Sequence, residues 1–475
     1  MTPILQLDKV EKQLSVTKLN AGQREAVALI VSAPDRIVGV QGYAGVGKSH
    51  LLKTAKTILE REGAVVRTLA PYGGQVKALR DLGMEANTLA SFLRAIDKKI
   101  DARTVLIIDE AGIVPTRQME QALKLAEQAG ARVVRLGDTA QTKAIEAGRP
   151  FDQLQAAGMR TAKVVEIQRQ RDPVLKAAVE LAAAGDARGS LRTLNAVTEI
   201  ADKNTRRDKL VADFMTLTPV ERDATLILAG TNEARRAINA RVREAVGTAG
   251  QGAVFDTLSR RDSTQVERRF SKNYHVGDVV QPEKDYKTGL QRGALYRVVD
   301  TGPGNRLTVV GKDGRGISFS PMHAKVSVYQ LEQTELAKGD RIRINRNDAA
   351  LNIATGERFS VSALEPGSLV LEGYGRTVRL PTDAPVHLDH AYVTTVHSAQ
   401  GMTADRVLIE AETGSRTTAK DVYYVAISRA RFGARIYTDD AGKLPASISR
   451  ENLKLAAMDI EREKKPVRSA RSRSS

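Results

Sequence analysis

Cysteine and tryptophan are both missing from this 475-residue chain. Without cysteine there is no disulfide framework and no thiolate metal ligand, which suits a reducing compartment. Aromatic residues make up only 4%, so a surface built mainly of stacking rings is excluded. A few well-placed Tyr or Phe side chains can still stack on bases. No apolar run approaches the ~20 residues that span a bilayer, so no membrane insertion is expected. The opening MTPILQLDKVEKQ places charges where a secretion signal needs an unbroken apolar stretch, and a cytoplasmic location is expected. Acidic residues are also in deficit. Lys plus Arg is 73 against 56 for Asp plus Glu, a net charge of +17, and such a field favours a polyanion such as nucleic acid or an anionic membrane surface. Part of the excess lies in the tail from Lys464 to Ser475, whose composition reads as disordered. The length predicts about three domains.

What the chain does have is GYAGVGKS, Gly42 to Ser49, which fits G-x-x-x-x-G-K-[ST] with glycines at Gly42 and Gly47 and a further Gly45. RIVGVQG before it predicts a buried parallel strand, and HLLKTAKTILEREG after it has helical apolar spacing ended by Gly63. Strand, glycine loop and helix together make a phosphate cradle. Loop amides and the helix N-terminus face phosphates, Lys48 reaches the outer ones, and Ser49 holds Mg²⁺. ATP and Mg²⁺ are the expected cofactors. Upstream, LNAGQREAVALIV predicts a helix capped by Asn20. Its Gln23 carries an amide that both donates and accepts, as an adenine edge requires.

Further along, TVLIIDE predicts a strand ending in Asp109 and Glu110. That position puts Asp109 near the Mg²⁺ and lets Glu110 polarise an attacking water. GARVVRLGDTAQ gives another strand, with Gln141 placed to sense the γ-phosphate, and TAKVVEIQRQR gives one followed by Arg169, which can point at the γ-phosphate or simply lie on a basic turn. PYGGQVKAL after the strand VVRTLA brings glycines where a backbone can approach a ligand. Thr88 is a helix cap by pattern, and residues 172–215 read as mostly helical. ATLILAGTNEARRAINARVRE opens a second strand–helix unit with Thr231 and Asn232 at the strand end, a position suited to a ligand crevice. From about residue 272 short apolar runs broken by Gly, Asp and Pro predict a β-rich insertion. The α/β texture returns with a strand over Ala391 to Thr395, a loop holding His397, Ser398, Gln400 and Gly401, and a turn holding Arg429 and Arg431. His387, His390 and His397 lack a shared metal-binding spacing.

The order of these motifs resembles the superfamily 1 DNA helicases of the 5′→3′ branch that includes RecD-type enzymes. Within it, the chain is most similar to the helicase region of MobF-type conjugative relaxases, the TraI/TrwC group. The resemblance spans roughly residues 15 to 445. It puts Gln23 on the adenine-reading glutamine, GYAGVGKS on motif I, APYGGQVKAL on motif Ia, ANTLASFL on Ib and IIDEA on II. LGDTAQ with Asp138 and Gln141 falls on motif III, EIQRQ with Arg169 on IV, TTVHSAQGMTADRV on V, and VAISRAR on VI with Arg429 as arginine finger.

This resemblance implies an α/β fold of two RecA-like P-loop domains with an inserted small β-barrel (SH3-like) domain. The implied boundaries are 1–215 for the first region, 216–271 with 387–450 for the second RecA-like domain, 272–386 for the insert and 451–475 for a charged helix and tail. It also implies Gly401 at the nucleotide, and a single-stranded DNA path over Pro71, Tyr72, Gly73, Thr88, Thr231, Asn232, Thr395 and His397. The implied activity is ATP-dependent 5′→3′ DNA unwinding or translocation in conjugative plasmid processing, beside conjugation or DNA-processing proteins; the oligomeric state is not assigned, with a monomer slightly favoured. Two features depart from the pattern. The stretch Leu93 to Arg103 is short where RecD-type enzymes carry a strand-separating hairpin, and the tyrosine and three-histidine cluster of a relaxase are not found, so DNA nicking is not expected. Three rival readings remain: a single-strand-stimulated translocase without strong unwinding, an RNA helicase, and an inactive nucleic-acid-binding recruitment module.

Overall fold

The computed structural model of the chain describes residues 1–141, 148–261 and 263–451. The helix and tail expected over 452–475 lie outside them. Six strands build the first sheet: β1 (Ile37–Gly42), β2 (Val65–Ala70), β3 (Ala86–Thr88), β4 (Thr104–Ile108), β5 (Arg132–Gly137) and β6 (Thr161–Val164). They lie in the order β3-β2-β4-β5-β1-β6, and every pairing is parallel. A parallel sheet is covered on both faces, which is why its strands are near-continuous apolar runs. β4 and β5 are buried at every position. The helix Ala21–Ser32 starts on a capping box between Asn20 and Gln23, and the helix Lys48–Arg61 buries Leu51, Leu52, Ala55, Ile58 and Leu59. In the sequence β3 is readable only as the run-up to a helix cap, because three residues are too few to show a period.

The chain continues through the helices Pro173–Ala183 and Ala187–Leu194, then β7 (Val197–Glu199), the helix Lys203–Met215 and β8 (Thr225–Ala229). β7 interrupts the stretch that reads as helical. It is a half-exposed edge strand fixed by pairing with a distant segment, so local pattern does not announce it. Two compact units divide the chain, Arg236–Tyr392 and the remainder.

The inserted unit is antiparallel throughout its ladders. Its first sheet contains β9 (Ala253–Arg260), β10 (Val279–Pro282), β11 (Tyr296–Gly302), β12 (Arg306–Val310), β13 (Gly316–Phe319) and β14 (Val326–Leu336). Its second contains β15 (Arg341–Ile344), β16 (Arg358–Glu365), β17 (Ser368–Gly373), β18 (Arg376–Pro381) and β19 (Leu388–His390). The orders are β13-β12-β11-β10-β14-β9 and β18-β17-β16-β15-β19; among the described residues the strand pairings leave both sheets open-ended. β9 starts ahead of residue 272 and pairs along its whole length with β14. Each sheet has its own core, one around Val280, Val298, Leu307 and Val328, the other around Ile342, Phe359, Leu369 and Leu371. Beside them Asp340 is fully buried. It accepts from Arg243 Nε at 3.1 Å, Thr248 Oγ1 at 2.8 Å, the Ala337 N–H at 2.8 Å and Tyr392 Oη at 3.2 Å. Burial pushes its carboxyl up, but hydrogen bonds from His390, Arg243, Ala337 and Thr248 outweigh this and hold it well below the usual carboxylate range.

After the insertion, β20 (Val393–Thr395), β21 (Ala404–Ala411) and β22 (Ala430–Thr438) complete the second parallel sheet, in the order β20-β8-β21-β22-β7. The helix Lys420–Ile427 buries six of its eight residues and packs on Pro173–Ala183. The two sheets flanked by helices form a helicase-like α/β arrangement consistent with RecA-like domains. No helix among the described residues is long and apolar enough to cross a membrane.

Candidate functional site

Ligands of open parallel sheets gather beyond the C-terminal strand ends, and both sheets place their chemistry there. In the first sheet β1 feeds the glycine loop. Gly45 and Gly47 take φ of +84° and +80°, a region that disfavours a side chain. A Cβ on Gly45 would stand 2.6 Å from Arg169 Cβ, and one on Gly47 2.6 Å from Gln23 Nε2. The glycines are therefore needed both for backbone shape and for the side chains that press on the loop. Lys48 donates through Nζ to the Gly42 carbonyl at 2.8 Å, so its ammonium lies against the loop itself.

Gln23 is 5% exposed. Its Nε2 donates to the Val46 carbonyl at 2.7 Å, and its Oε1 accepts the Asn20 N–H at 3.1 Å. In this structure the amide clamps the phosphate loop to the start of its own helix. One N–H and one lone pair remain for a base edge.

Past β4, the Asp109 carboxylate accepts the Glu110 N–H at 2.9 Å. Glu110 has φ +49°, a strained backbone for a residue with a side chain and one that clusters at functional sites. Burial and the neighbouring Glu110 charge push Asp109 up to about 6, with Lys48 pulling the other way. Two crowded carboxylates beside a lysine are suited to a divalent cation, whose charge would relieve both effects. Ser49, the other expected metal ligand, is exposed in the first turn of its helix.

Past β5, Asp138 is a buried hub. Its Oδ1 accepts from Gln41 Nε2 at 3.3 Å and the Ala140 N–H at 3.0 Å; its Oδ2 accepts from Gln141 Nε2 at 3.0 Å and Tyr424 Oη at 2.9 Å. Gln141 in turn accepts from Gln400 Nε2 at 3.0 Å, which joins the two sheets' loops.

Arg169 and Arg429 meet beside these groups. Arg169 donates to the Ser428 carbonyl at 2.9 Å. Arg429 is 2% exposed and donates to the Val425 carbonyl at 3.0 Å and Ser428 Oγ at 2.8 Å. Neither makes an ion pair among the described residues. Burial, then the Arg429 charge, push Arg169 down to about 10, while Tyr424 and Glu110 oppose this. Burial also lowers Arg429, against Glu110, Tyr424 and Asp138. One line of charges thus runs from Lys48 through Asp109 and Glu110 to Arg429 and Arg169. One buried and one half-buried guanidinium group, satisfied by carbonyls and a hydroxyl, leave their charge to be balanced by an anion.

The candidate nucleic-acid residues occupy the same strand ends. Pro71 to Gly73 follow β2, and Tyr72 is 53% exposed. Thr88 ends β3 and caps the helix Leu89–Arg94, accepting the Ser91 N–H at 3.1 Å. Thr231 accepts the Ala234 N–H at 3.1 Å, and Asn232 accepts from Arg235 Nε at 3.3 Å. Thr395, on β20 beside β8, donates to Ser398 Oγ at 3.0 Å, and His397 is exposed. Three of these hydroxyls are therefore engaged in caps or turns. Gly401 takes φ +85°, and a Cβ added there would meet nothing within 4 Å. His387 and His390 have structural partners: His387 lies 4.7 Å from the Tyr329 ring, and His390 Nε2 is 3.1 Å from the Glu335 carbonyl oxygen. A cavity of about 480 Å³ lined by Gln41, Tyr43, Thr139, Arg149, Lys163 and Lys420 contains none of Lys48, Asp109, Glu110, Arg169 or Arg429. It is adjacent to the phosphate loop without being its binding face.

Residues 18–205 match the family model described as an AAA domain. The multifunctional conjugation protein TraI of Escherichia coli is 27% identical over 96% of this chain and 29% of its own length. The conjugal transfer protein TraA of Agrobacterium fabrum is 29% identical over 94% of this chain and 35% of its own length. The chain spans about a third of the length of these curated relatives. Among solved structures, one described as the structural basis for DNA unwinding at forked double-stranded DNA by two coordinating Pif1 helicases shares the fold, with a TM-score of 0.53, 17% identity, and coverage of 94% of this chain and 97% of that one. The chain carries an ATP-hydrolysing P-loop domain of helicase type, related to the TraI and TraA proteins.

Proposed function

We propose that this chain is an ATP-dependent 5′→3′ helicase or translocase on single-stranded DNA, acting in the cytoplasm in conjugative plasmid processing. The observation that carries the reading is the charge line of Lys48, Asp109, Glu110, Arg429 and Arg169, drawn from both parallel sheets. Lys48 and the loop amides would bind the outer phosphates of ATP. Ser49 and Asp109 would hold Mg²⁺, which supplies charge neutralisation when bound. Glu110 orients water, and Gln141 reports on the γ-phosphate side. Arg169 and Arg429 offset the charge that builds there, so their hold on it couples nucleotide state to the approach of the two sheets. DNA would run through its backbone across Pro71, Tyr72, Gly73, Thr88, Thr231, Asn232, Thr395 and His397. The β-rich insertion is read as the SH3-like domain of this helicase branch.

A phosphate-release assay with and without single-stranded DNA, run beside strand displacement of a 5′-tailed duplex, tests the reading. Turnover stimulated by the single strand and displacement of the duplex are expected. No stimulation would leave only a recruitment role. A translocase without strong unwinding is the second reading. It is favoured by the connection from the helix Leu89–Arg94 to β4, which contains no strand among the described residues and hence no hairpin to part a duplex. Translocation without displacement would select it.

A further inference from the structure

We infer that Tyr424 is a positioning residue for ATP hydrolysis, a strut whose single hydroxyl ties the phosphate loop to Asp138. It stands on the helix Lys420–Ile427, which belongs to the second sheet's layer, yet both of its partners belong to the first. The Ala44 N–H donates to Tyr424 Oη at 2.8 Å, and Tyr424 Oη donates to Asp138 Oδ2 at 2.9 Å. A phenol has one proton to give. Accepting from the loop therefore leaves that proton for Asp138, and both bonds form together or the hydroxyl is left half satisfied.

Burial makes the arrangement consequential. Tyr424 is 1% exposed, Ala44 3% and Asp138 3%, so water is a poor substitute for any lost partner. Asp138 has four acceptor positions and four donors: Gln41, Ala140, Gln141 and Tyr424. Gln141 shares Oδ2 with Tyr424 and passes the connection to Gln400. The strut therefore fixes two things at once, the backbone of the glycine loop at Ala44 and the side chain of Gln141. If the helix Lys420–Ile427 moves away, a buried amide of the loop loses its acceptor and Asp138 loses one of four donors. Closure of the two sheets' loops is thus coupled to completion of the phosphate cradle through one oxygen.

The adjacent Tyr423 is an internal control. It is also buried, and its hydroxyl bonds Ser190 at 2.9 Å, within the helices that pack around the second sheet and with no link to the glycine loop. Tyr424→Phe and Tyr423→Phe each delete one buried hydroxyl and keep the ring.

The inference rests on the ATPase reading, and the experiment separates the two. Steady-state phosphate release is measured over a range of ATP concentrations, with and without single-stranded DNA, for the parent chain and both variants, together with thermal denaturation of each. Tyr424→Phe is expected to lower kcat on the order of 10- to 100-fold, as misplacement of a catalytic constellation does. KM for ATP should move far less, and Tyr423→Phe should hydrolyse like the parent despite a comparable loss of thermal stability. An active parent with unchanged Tyr424→Phe overturns the strut alone, as does an equal loss of kcat in both variants. A parent chain without turnover overturns the ATPase reading and the strut with it.

Discussion

Asp109→Asn is expected to stabilise the metal-free chain while removing its hydrolysis. Burial and the charge of Glu110 push Asp109 up to about 6. At ~1.4 kcal/mol per unit, a displacement of about two units sets a ceiling of about 3 kcal/mol on what the ionised form costs at neutral pH. Asp109 keeps partial solvent contact, so ~1–2 kcal/mol is the working figure. Asparagine has nearly the same shape, and its Oδ1 can still accept the Glu110 N–H now held at 2.9 Å, so no cavity or orphaned donor offsets the gain. The sign follows from linkage. A carboxyl whose folded value lies above its unfolded one costs nothing below about pH 4; the penalty grows as pH rises toward about 6 and is complete above it. The stabilisation by Asp109→Asn should therefore be full at about pH 7.5 and absent near pH 4. Urea denaturation in EDTA at the two pH values, compared at unchanged m, measures it, and phosphate release in Mg²⁺ measures the loss of activity. No gain at the higher pH, or the same gain at both, would refute the account of a carboxylate held at a cost for its ligand.

Three further outcomes follow from the same geometry. Lys48→Ala should abolish nucleotide turnover but retain most single-stranded DNA binding in a fluorescence anisotropy titration, because the strand ends assigned to DNA are those of β2, β3, β8 and β20. Arg429→Ala should still bind nucleotide but hydrolyse it slower by ~10³-fold or more, the range for arginine fingers; a nucleotide-affinity measurement beside phosphate release separates binding from turnover. Asp340→Ala should destabilise the chain by about 1–3 kcal/mol, because the Ala337 N–H and the Thr248 and Tyr392 hydroxyls lose their acceptor, while Arg243 keeps Glu335 at 3.2 Å. Since Asp340 is held below the usual carboxylate range, that contribution is present at neutral pH and fades as acid protonates it, which denaturation midpoints at falling pH would track.

The phosphate loop and the strand ends are legible in the sequence because their determinants are local. A glycine loop between an apolar run and an amphipathic helix, or Asp109 and Glu110 closing the run TVLII, can be read within a dozen residues. The contacts between distant segments cannot. Tyr424 sits in DVYYVAI beside another buried tyrosine, and no pattern marks which of the two reaches Ala44 and Asp138. Asp138 is visible only as a companion of Gln141, while its role as a four-donor hub depends on Gln41 and Tyr424, far away in the chain. Gln23 illustrates an intermediate case. Its place ahead of the loop is readable, but its clamp on the Val46 carbonyl appears only when helix and loop are packed together. β7 and β3 escape a local reading because short strands are defined by their neighbours in the sheet.

The order in which the ribosome delivers the strands imposes a delay on the second sheet. β8 is apolar and fully buried, and its neighbours are β20 and β21. Ile227 waits for Val393, roughly 160 residues later, which at ~5–20 residues per second is about 10–30 s of synthesis. Throughout that interval both edges of a sticky strand have no mate, the condition that invites aggregation. The antiparallel unit emerging in between has its own cores and ladders and can fold as it appears. Slowing or misfolding of that unit would prolong the exposure of β8, so lesions far from any ATP-handling residue should show up first as insoluble nascent protein.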